Sequence, residues 1–273
     1  VVTFDEIKTS DDVRAVLAAH GIGCRSVARL GEGQDNVAFE VDGELIVRFA
    51  KGDTDVLREA RLLEVVAGVS PFAVPTPVFV EPECMAYRKL PGVPLVDLTP
   101  PPGIAKVLNA YVDTLQAIAV DAVAGLVDTD DDPVGQWLAE AHESYAAVEV
   151  PPEYRRSVER FLDTEPPART EPSVFSHNDL GIEHVLIDPV TGDVTGIIDW
   201  TDAALCDPAY DHGLIYRDLG VLIDGPLAER AAFYARCTVL EDLAYGTQSG
   251  IQRYADEARR SLRHLFEPLE PKR

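Results

Sequence analysis

Ser176-His177-Asn178-Asp179-Leu180-Gly181-Ile182-Glu183-His184-Val185-Leu186-Ile187-Asp188, followed by Gly196-Ile197-Ile198-Asp199-Trp200, is the stretch from which the fold is read. Residues able to do chemistry alternate here with short blocks of β-formers: Val174-Phe175, Val185-Leu186-Ile187 and Ile197-Ile198. Blocks this short and apolar predict buried strands, and Thr191-Gly192-Asp193 predicts the turn between the last two. Rigid strands of this kind should present Asp179, His184 and Asp199 at their ends. Singly, each residue has a plainer explanation, because an isolated His is more often a satisfied surface or core residue and a lone Asp at a strand end is usually a turn former. As an ordered set they are a carboxylate, a metal-capable imidazole and a second carboxylate. Phosphoryl transfer needs such a set, one group orienting the attacking hydroxyl and two holding the magnesium that bridges the phosphates.

Outward from this stretch, the chain changes character twice. Ahead of it lies a predicted helix with Ser10 as N-cap, Val13, Val16 and Leu17 as its apolar face and Gly21 as its stop. Strands are predicted at Ser26–Leu30, Asn36–Val41 and Leu45–Phe49, with Asp42-Gly43 as a hairpin turn. A helix over about Asp53–Val66 and short strands at Val78–Val80 and Met85–Tyr87 follow. Pro91-Gly92-Val93-Pro94 and Thr99-Pro100-Pro101-Pro102-Gly103 then read as a connector, since proline interrupts both helix and sheet. Beyond it helices are expected at about Ile104–Ile118, Val134–Ala147 and Tyr154–Leu162, and again from Tyr210 to Leu265. The Ala-rich run Ala117–Val127 reads as a buried helix, and the acidic run Asp128–Asp132 as a solvated loop.

His177-Asn178-Asp179-Leu180-x-x-x-His184 resembles the catalytic loop of protein-kinase-like enzymes, with Asp179 five residues before His184 as in that motif. Ile198-Asp199-Trp200 is similar to their metal-binding segment. The continuation through Asp202, Asp207-Pro208 and Asp211 resembles the form used by the aminoglycoside phosphotransferase superfamily. Two branches of that superfamily carry His at the position of His184: the aminoglycoside 2-double-prime and the macrolide 2-prime phosphotransferases. The resemblance implies an α+β, protein-kinase-like two-lobe fold, with a small β-rich N-lobe over residues 1–90 and a larger helical C-lobe over 91–273.

Carried over position by position, the resemblance makes Asp179 the catalytic base and His184 with Asp199 the magnesium ligands. Imidazole suits softer metals than magnesium, so Asp199 is expected to dominate. Gly31-Glu32-Gly33-Gln34-Asp35-Asn36 is similar to a glycine-rich phosphate loop, with Asn36 where a third glycine would sit. Arg48 falls where the family places a phosphate-binding lysine, with Lys51 as the competing cation and Glu59 as the helix partner. Arg88, Lys89 and Leu90 look like the hinge facing a purine edge of ATP or GTP, and Leu186 and Ile198 would wall the base. Asp202, Asp218, Glu241 and Asp242 are candidate carboxylates for the amines of a cationic antibiotic. Glu241 and Asp242 could equally be a solvated helix face. An aminoglycoside-type sugar hydroxyl is the first acceptor to consider. A macrolide, a metabolic amino alcohol or sugar, or a nucleotide-binding protein without transfer activity are the alternatives.

Composition narrows the partners. The 273 residues carry 24 Lys+Arg against 47 Asp+Glu, a net charge of −23. Such a surface repels phosphate backbones and attracts cations, so nucleic-acid binding is not expected. No apolar run approaches the roughly 20 residues of a membrane span. Cys24, Cys84, Cys206 and Cys237 are widely spaced, with neither a zinc pattern nor a disulfide framework. A cytosolic, reducing location is the expectation.

Overall fold

The computed structural model describes residues 8–33, 36–52, 54–130, 134–169 and 171–268. The elements run α1 (Ser10–Ala19), β1 (Val27–Glu32), β2 (Asn36–Val41), β3 (Leu45–Ala50), α2 (Val56–Ala67), β4 (Pro77–Glu81), β5 (Cys84–Arg88) and β6 (Val93–Pro94). They continue α3 (Ile104–Gln116), α4 (Val120–Val123), β7 (Asp128–Thr129), α5 (Val134–Ala147), α6 (Pro152–Leu162), β8 (Val174–Ser176), β9 (Val185–Ile187) and β10 (Val194–Ile197). Last come β11 (Ala204–Cys206), α7 (Tyr210–Leu219), α8 (Ala228–Gln248) and α9 (Gln252–Leu265). The fold is α+β, with its strands concentrated in the N-terminal part and its helices in the C-terminal part.

Two compact units form, and they are not the two continuous segments expected from a boundary at residue 90. The first comprises Val1–Asp97, Asp121–Val127 and His184–Asp202, and the second Leu98–Val120, Asp128–Glu183 and Ala203–Arg273. The reason is hydrogen bonding across distant sequence: β9 pairs with both β10 and β6, which commits His184–Asp202 to the first unit.

In the first unit, a five-stranded antiparallel sheet has the order β1-β2-β3-β5-β4. The period of two along β2 puts Val37, Phe39 and Val41 inward, where they meet Val47 and Phe49 of β3 and Val13 and Leu17 of α1. Asp42 and Gly43 both take positive φ, 53° and 76°, the backbone a tight right-twisting hairpin requires. The Asp42 carboxylate also accepts from the N–H groups of Arg25 and Ser26 at 3.0 and 2.7 Å. Helix α2 starts at Asp55, whose side chain caps the Arg58 N–H, and packs Leu62, Leu63 and Val66 inward beside β4 and β5.

The second unit buries its core between α5, α6, α7, α8 and α9. Two glycines set how closely the helices approach. A Cβ at Gly213 of α7 would lie 2.8 Å from the Ala231 carbonyl of α8, and one at Gly246 of α8 would lie 2.4 Å from the Ala255 nitrogen of α9. A small sheet of order β7-β11-β8 also belongs to the second unit.

Several expectations need correction. Thr9, not Ser10, caps α1: its hydroxyl accepts from Asp12 N–H while Asp12 accepts from Thr9 N–H at 2.7 Å, a reciprocal pair unavailable to Ser10. The run Ala117–Val127 is not one buried helix. Helix α3 ends at Gln116, α4 is a single turn, and Gly125 at φ 74° breaks the chain. The proline connector does contain a strand, because β6 sits at a sheet edge where Pro94 has no ladder bond to donate on its outer side. Of the acidic run, Asp128 and Thr129 pair with Ala204 and Leu205 rather than forming only a loop, and Asp131 and Asp132 lie outside the described residues.

Candidate active site

Within the first unit the structure assembles a charged cluster from three parts of the chain. Arg48 of β3 points from the sheet onto Glu59 of α2, forming a buried ion pair whose side chains are 11% and 7% exposed. The opposite edge of the Arg48 guanidinium lies 3.7 Å from Asp199 Oδ1 and 3.4 Å from Thr201 Oγ1. His184 Nε2 lies 3.7 Å from the other oxygen of Asp199. Burial works against the Arg48 charge, but Glu59, Tyr87 and Asp199 together outweigh it and raise the pKa, so the guanidinium stays cationic.

Local backbone explains why Asp199 can serve two neighbours. Strand β10 ends at Ile197, and Ile198 N–H donates to the His184 carbonyl at 3.0 Å, tying the two sites together. Asp199 then takes φ 63°, a left-handed conformation that costs a non-glycine residue energy and turns its carboxylate out of the strand. Trp200, 1% exposed, anchors the turn through its indole N–H to the Ile197 carbonyl at 3.2 Å. Leu186 and Ile198 lie beside His184 and Asp199 in the chain, Leu186 buried and Ile198 half-buried.

His184 and Asp199 offer one imidazole and one carboxylate. Magnesium keeps several waters and completes its shell with substrate phosphates, so a donor set this small fits it. Among the described residues no group of three or more His, Cys, Asp or Glu is arranged to hold a metal, so a closed zinc-type site is not formed there.

In the second unit, the loop after β8 carries Asp179. Asp211 of α7 is fully buried beneath it and accepts three hydrogen bonds: Ser176 Oγ at 2.8 Å, His177 N–H at 2.9 Å and Asn178 N–H at 3.0 Å. Asn178 takes φ 64°, so the chain bends just ahead of Asp179, which is half-buried. Burial raises the phenol pKa values of Tyr210 and Tyr254, and the Asp179 charge adds to both shifts.

Burial also lifts the Asp211 carboxyl from 3.8 to about 6, against the pull of its three donors. Because the folded value exceeds the ordinary one, ionising Asp211 costs the fold. The stability its protonated form supplies is present below 3.8 and lost as pH rises to about 6. The network nonetheless uses both carboxylate oxygens as acceptors. Asp211→Asn turns an N–H₂ toward a donor and is expected to cost about 1–3 kcal/mol at pH 8. At pH 5, where the native carboxyl is itself protonated, the penalty shrinks, and denaturant unfolding at the two pH values checks this.

The remaining expected residues divide as follows. Lys51 binds Glu32 and the Gly33 carbonyl, the latter at 3.0 Å, so it is Arg48 that faces Glu59 and Asp199. Gly31 and Gly33 bracket the end of β1, with Gly33 N–H donating to the Asn36 carbonyl at 2.9 Å. Gln34 and Asp35 of that loop lie outside the described residues. Lys89 is turned toward the β2–β3 hairpin: its N–H donates to the Glu44 carbonyl at 2.8 Å and its ammonium binds Glu40. Arg88 and Leu90 line a cavity of about 650 Å³ with Phe72, Val74 and Val78 of the first unit.

Asp202 is exposed and belongs to the first unit, whereas Asp218, Glu241 and Asp242 belong to the second. Glu241 is exposed. Asp218 and Asp242 are both bound by Arg217, at 2.6 and 2.9 Å.

Asp207, Asp211 and Arg217 are the residues that sequence reasoning undervalued. Asp207 is buried against Arg230 Nε at 2.8 Å and the Tyr234 hydroxyl at 3.0 Å, and so holds the start of α7 onto α8. The available signal was charge in apolar surroundings: Asp207 and Asp211 bracket Pro208-Ala209-Tyr210, a place where an unpaired carboxylate could not remain buried.

Comparisons with known proteins bear on the family and the fold. The model of the phosphotransferase enzyme family matches residues 26–245. Among solved structures, the GDP and kanamycin complex of APH(2")-IIia superposes with a TM-score of 0.72 at 22% identity, covering 94% of this chain and 98% of the other. The apoenzyme of macrolide 2'-phosphotransferase MphH from Brachybacterium faecium gives 0.63 at 23% identity, covering 96% and 100%. ADP-bound APH(2'')-Ib gives 0.56 at 14% identity, covering 94% and 99%. Comparison with curated protein sequences finds no match.

Proposed function

The chain belongs to the phosphotransferase enzyme family, and from that premise we propose that it transfers the γ-phosphoryl group of a nucleoside triphosphate to a hydroxyl of an amine-bearing antibiotic, an aminoglycoside first. The observation that carries this reading is Arg48, paired with Glu59 and facing the same Asp199 carboxylate that His184 approaches at 3.7 Å. A fixed guanidinium beside a metal-capable pair is suited to polyphosphate, and nothing in a purely structural ion pair calls for the strained backbone at Asp199.

Asp179 takes the role of orienting the acceptor hydroxyl and receiving its proton. Asp199, with His184, would hold magnesium. A bound magnesium ion neutralises charge on the phosphates. Arg48 orients the nucleotide, and Leu186 and Ile198 offer apolar surface to its base. Similar structures hold GDP in one case and ADP in another, so both ATP and GTP are candidate donors. Asp202 and Glu241, both exposed, are the carboxylates assigned to the acceptor's amines.

A macrolide acceptor is the second reading, favoured by the engagement of Asp218 and Asp242 with Arg217, which lowers the negative charge offered to a polyamine. Product mass after incubation with ATP or GTP, magnesium and a panel of aminoglycosides and macrolides tests both. A mass gain of one phosphoryl group on an aminoglycoside supports the first reading, and gain on macrolides alone supports the second. Nucleotide binding with no acceptor phosphorylated overturns both.

A further inference from the structure

Between Asp179 and His184 the chain has no strand or helix to satisfy its backbone, yet Leu180, Gly181 and Ile182 are all buried. A buried N–H in such a segment needs an acceptor from elsewhere. For Ile182 that acceptor is Asp218 Oδ2 on α7, at 3.1 Å. Asp218 is itself gripped by its neighbour: Arg217 Nε donates to Oδ1 at 2.6 Å and Nη2 to Oδ2 at 3.1 Å. Adjacent residues on a helix do not ordinarily face one another, so the Arg217 side chain must fold back to make this forked contact. Its remaining nitrogen Nη1 reaches Asp242 Oδ2 on α8 at 2.9 Å.

The side chains of Arg217 and Asp218 are only 8% and 9% exposed. Burial opposes the Arg217 charge, but Asp218, Asp242 and the nearby Glu183 more than offset it, and the guanidinium stays charged. Glu183 belongs to the same loop and folds back so that its carboxylate would lie 2.3 Å from a Cβ placed on Gly181. One buried cation thus acts on the loop through the acceptor it orients for Ile182.

We propose that Arg217 and Asp218 are positioning residues that clamp the loop following Asp179 onto α7, and that they do not bind the acceptor. The proposal rests on the reading of Asp179 as the group that meets the acceptor hydroxyl. A displacement of about 1 Å at such a group lowers turnover by about 10²-fold. A clamp and an amine-binding carboxylate differ in where the loss falls: a clamp lowers kcat, whereas an amine ligand raises the acceptor KM.

The test compares Asp218→Leu with Asp218→Asn. Asparagine keeps a carbonyl oxygen for the Ile182 N–H but loses the charge. For Asp218→Leu, kcat at saturating acceptor should fall about 10²-fold with nucleotide and acceptor KM within about threefold of wild type. Asp218→Asn should recover at least a tenth of wild-type kcat. In hydrogen exchange, peptides covering 180–184 should exchange at least about tenfold faster in Asp218→Leu, while those covering β8 stay protected. Unchanged exchange at 180–184, or a loss confined to acceptor KM in both variants, overturns the proposal. If no acceptor is ever phosphorylated, exchange at 180–184 still decides the clamp, while the missing turnover counts only against the reading of Asp179. Should Asp218→Leu fail to fold, Arg217→Lys serves the same comparison. It loses the fork and should show faster exchange at 180–184 with a lowered kcat.

Discussion

Asp179→Asn is expected to leave nucleotide affinity nearly unchanged and to lower phosphoryl transfer by about 10²–10⁴-fold, the range of a positioned acid or base. The substitution is close to isosteric, and the three hydrogen bonds that hold the preceding residues go to Asp211, so the loop should keep its shape. What disappears is the ability to accept the hydroxyl proton. Nucleotide titration followed by single-turnover product mass separates the two effects. A variant that keeps more than about a tenth of wild-type transfer would show that Asp179 is not a base and acts, at most, through alignment.

Arg48→Met should be the most damaging change to the first unit. It leaves the Glu59 carboxylate, 7% exposed, without its ion-pair partner, and breaking a buried pair costs about 3–5 kcal/mol. Burial already raises the Glu59 pKa, against the pull of Arg48. Without Arg48 it rises further, and Glu59 enters the folded state protonated. The penalty is therefore smallest at low pH and grows as pH rises through the new pKa, because ionisation then has nothing to compensate it. Thermal unfolding at pH 5 and pH 8 should show the larger loss at pH 8.

The double variant Arg48→Met/Glu59→Met distinguishes stability from function. Two apolar side chains can replace a buried pair at little cost, so most of the stability should return. Nucleotide KM should stay elevated, because the cation that faces Asp199 is still absent. Recovery of both stability and nucleotide affinity would mean that Arg48 serves only the fold.

Much of the architecture was legible along the chain because its cause is local. Asn36–Val41 was readable from alternation, Asp42-Gly43 from its turn chemistry, and Val134–Ala147 from helical periodicity. The boundaries that slipped are those where a competing local interaction won, as at Thr9 with its reciprocal bond to Asp12. Strand β11 carried no recognisable signal, since three residues cannot display a period, and only its partners β7 and β8 make it a strand. The two-residue β6 was hidden by its proline for the same reason.

The amino-acid order by itself determined which chemical groups the proposed function could draw on and how they are spaced: Asp179, His184 and Asp199, each near a short apolar block that would form a strand wherever it could be buried. Only the tertiary structure decided which charge pairs with which. Arg48 and Lys51 are equivalent candidates on paper, yet one is buried on Glu59 and the other binds Glu32 near the end of β1. Asp218 and Asp242 read as open carboxylates until α7 and α8 pack and deliver Arg217 between them. The physical reason is the range of the forces. Turns and periodicity act over a few residues and are written locally, whereas an ion pair gains most of its strength from burial, and burial is a property of elements that meet only after the chain has folded.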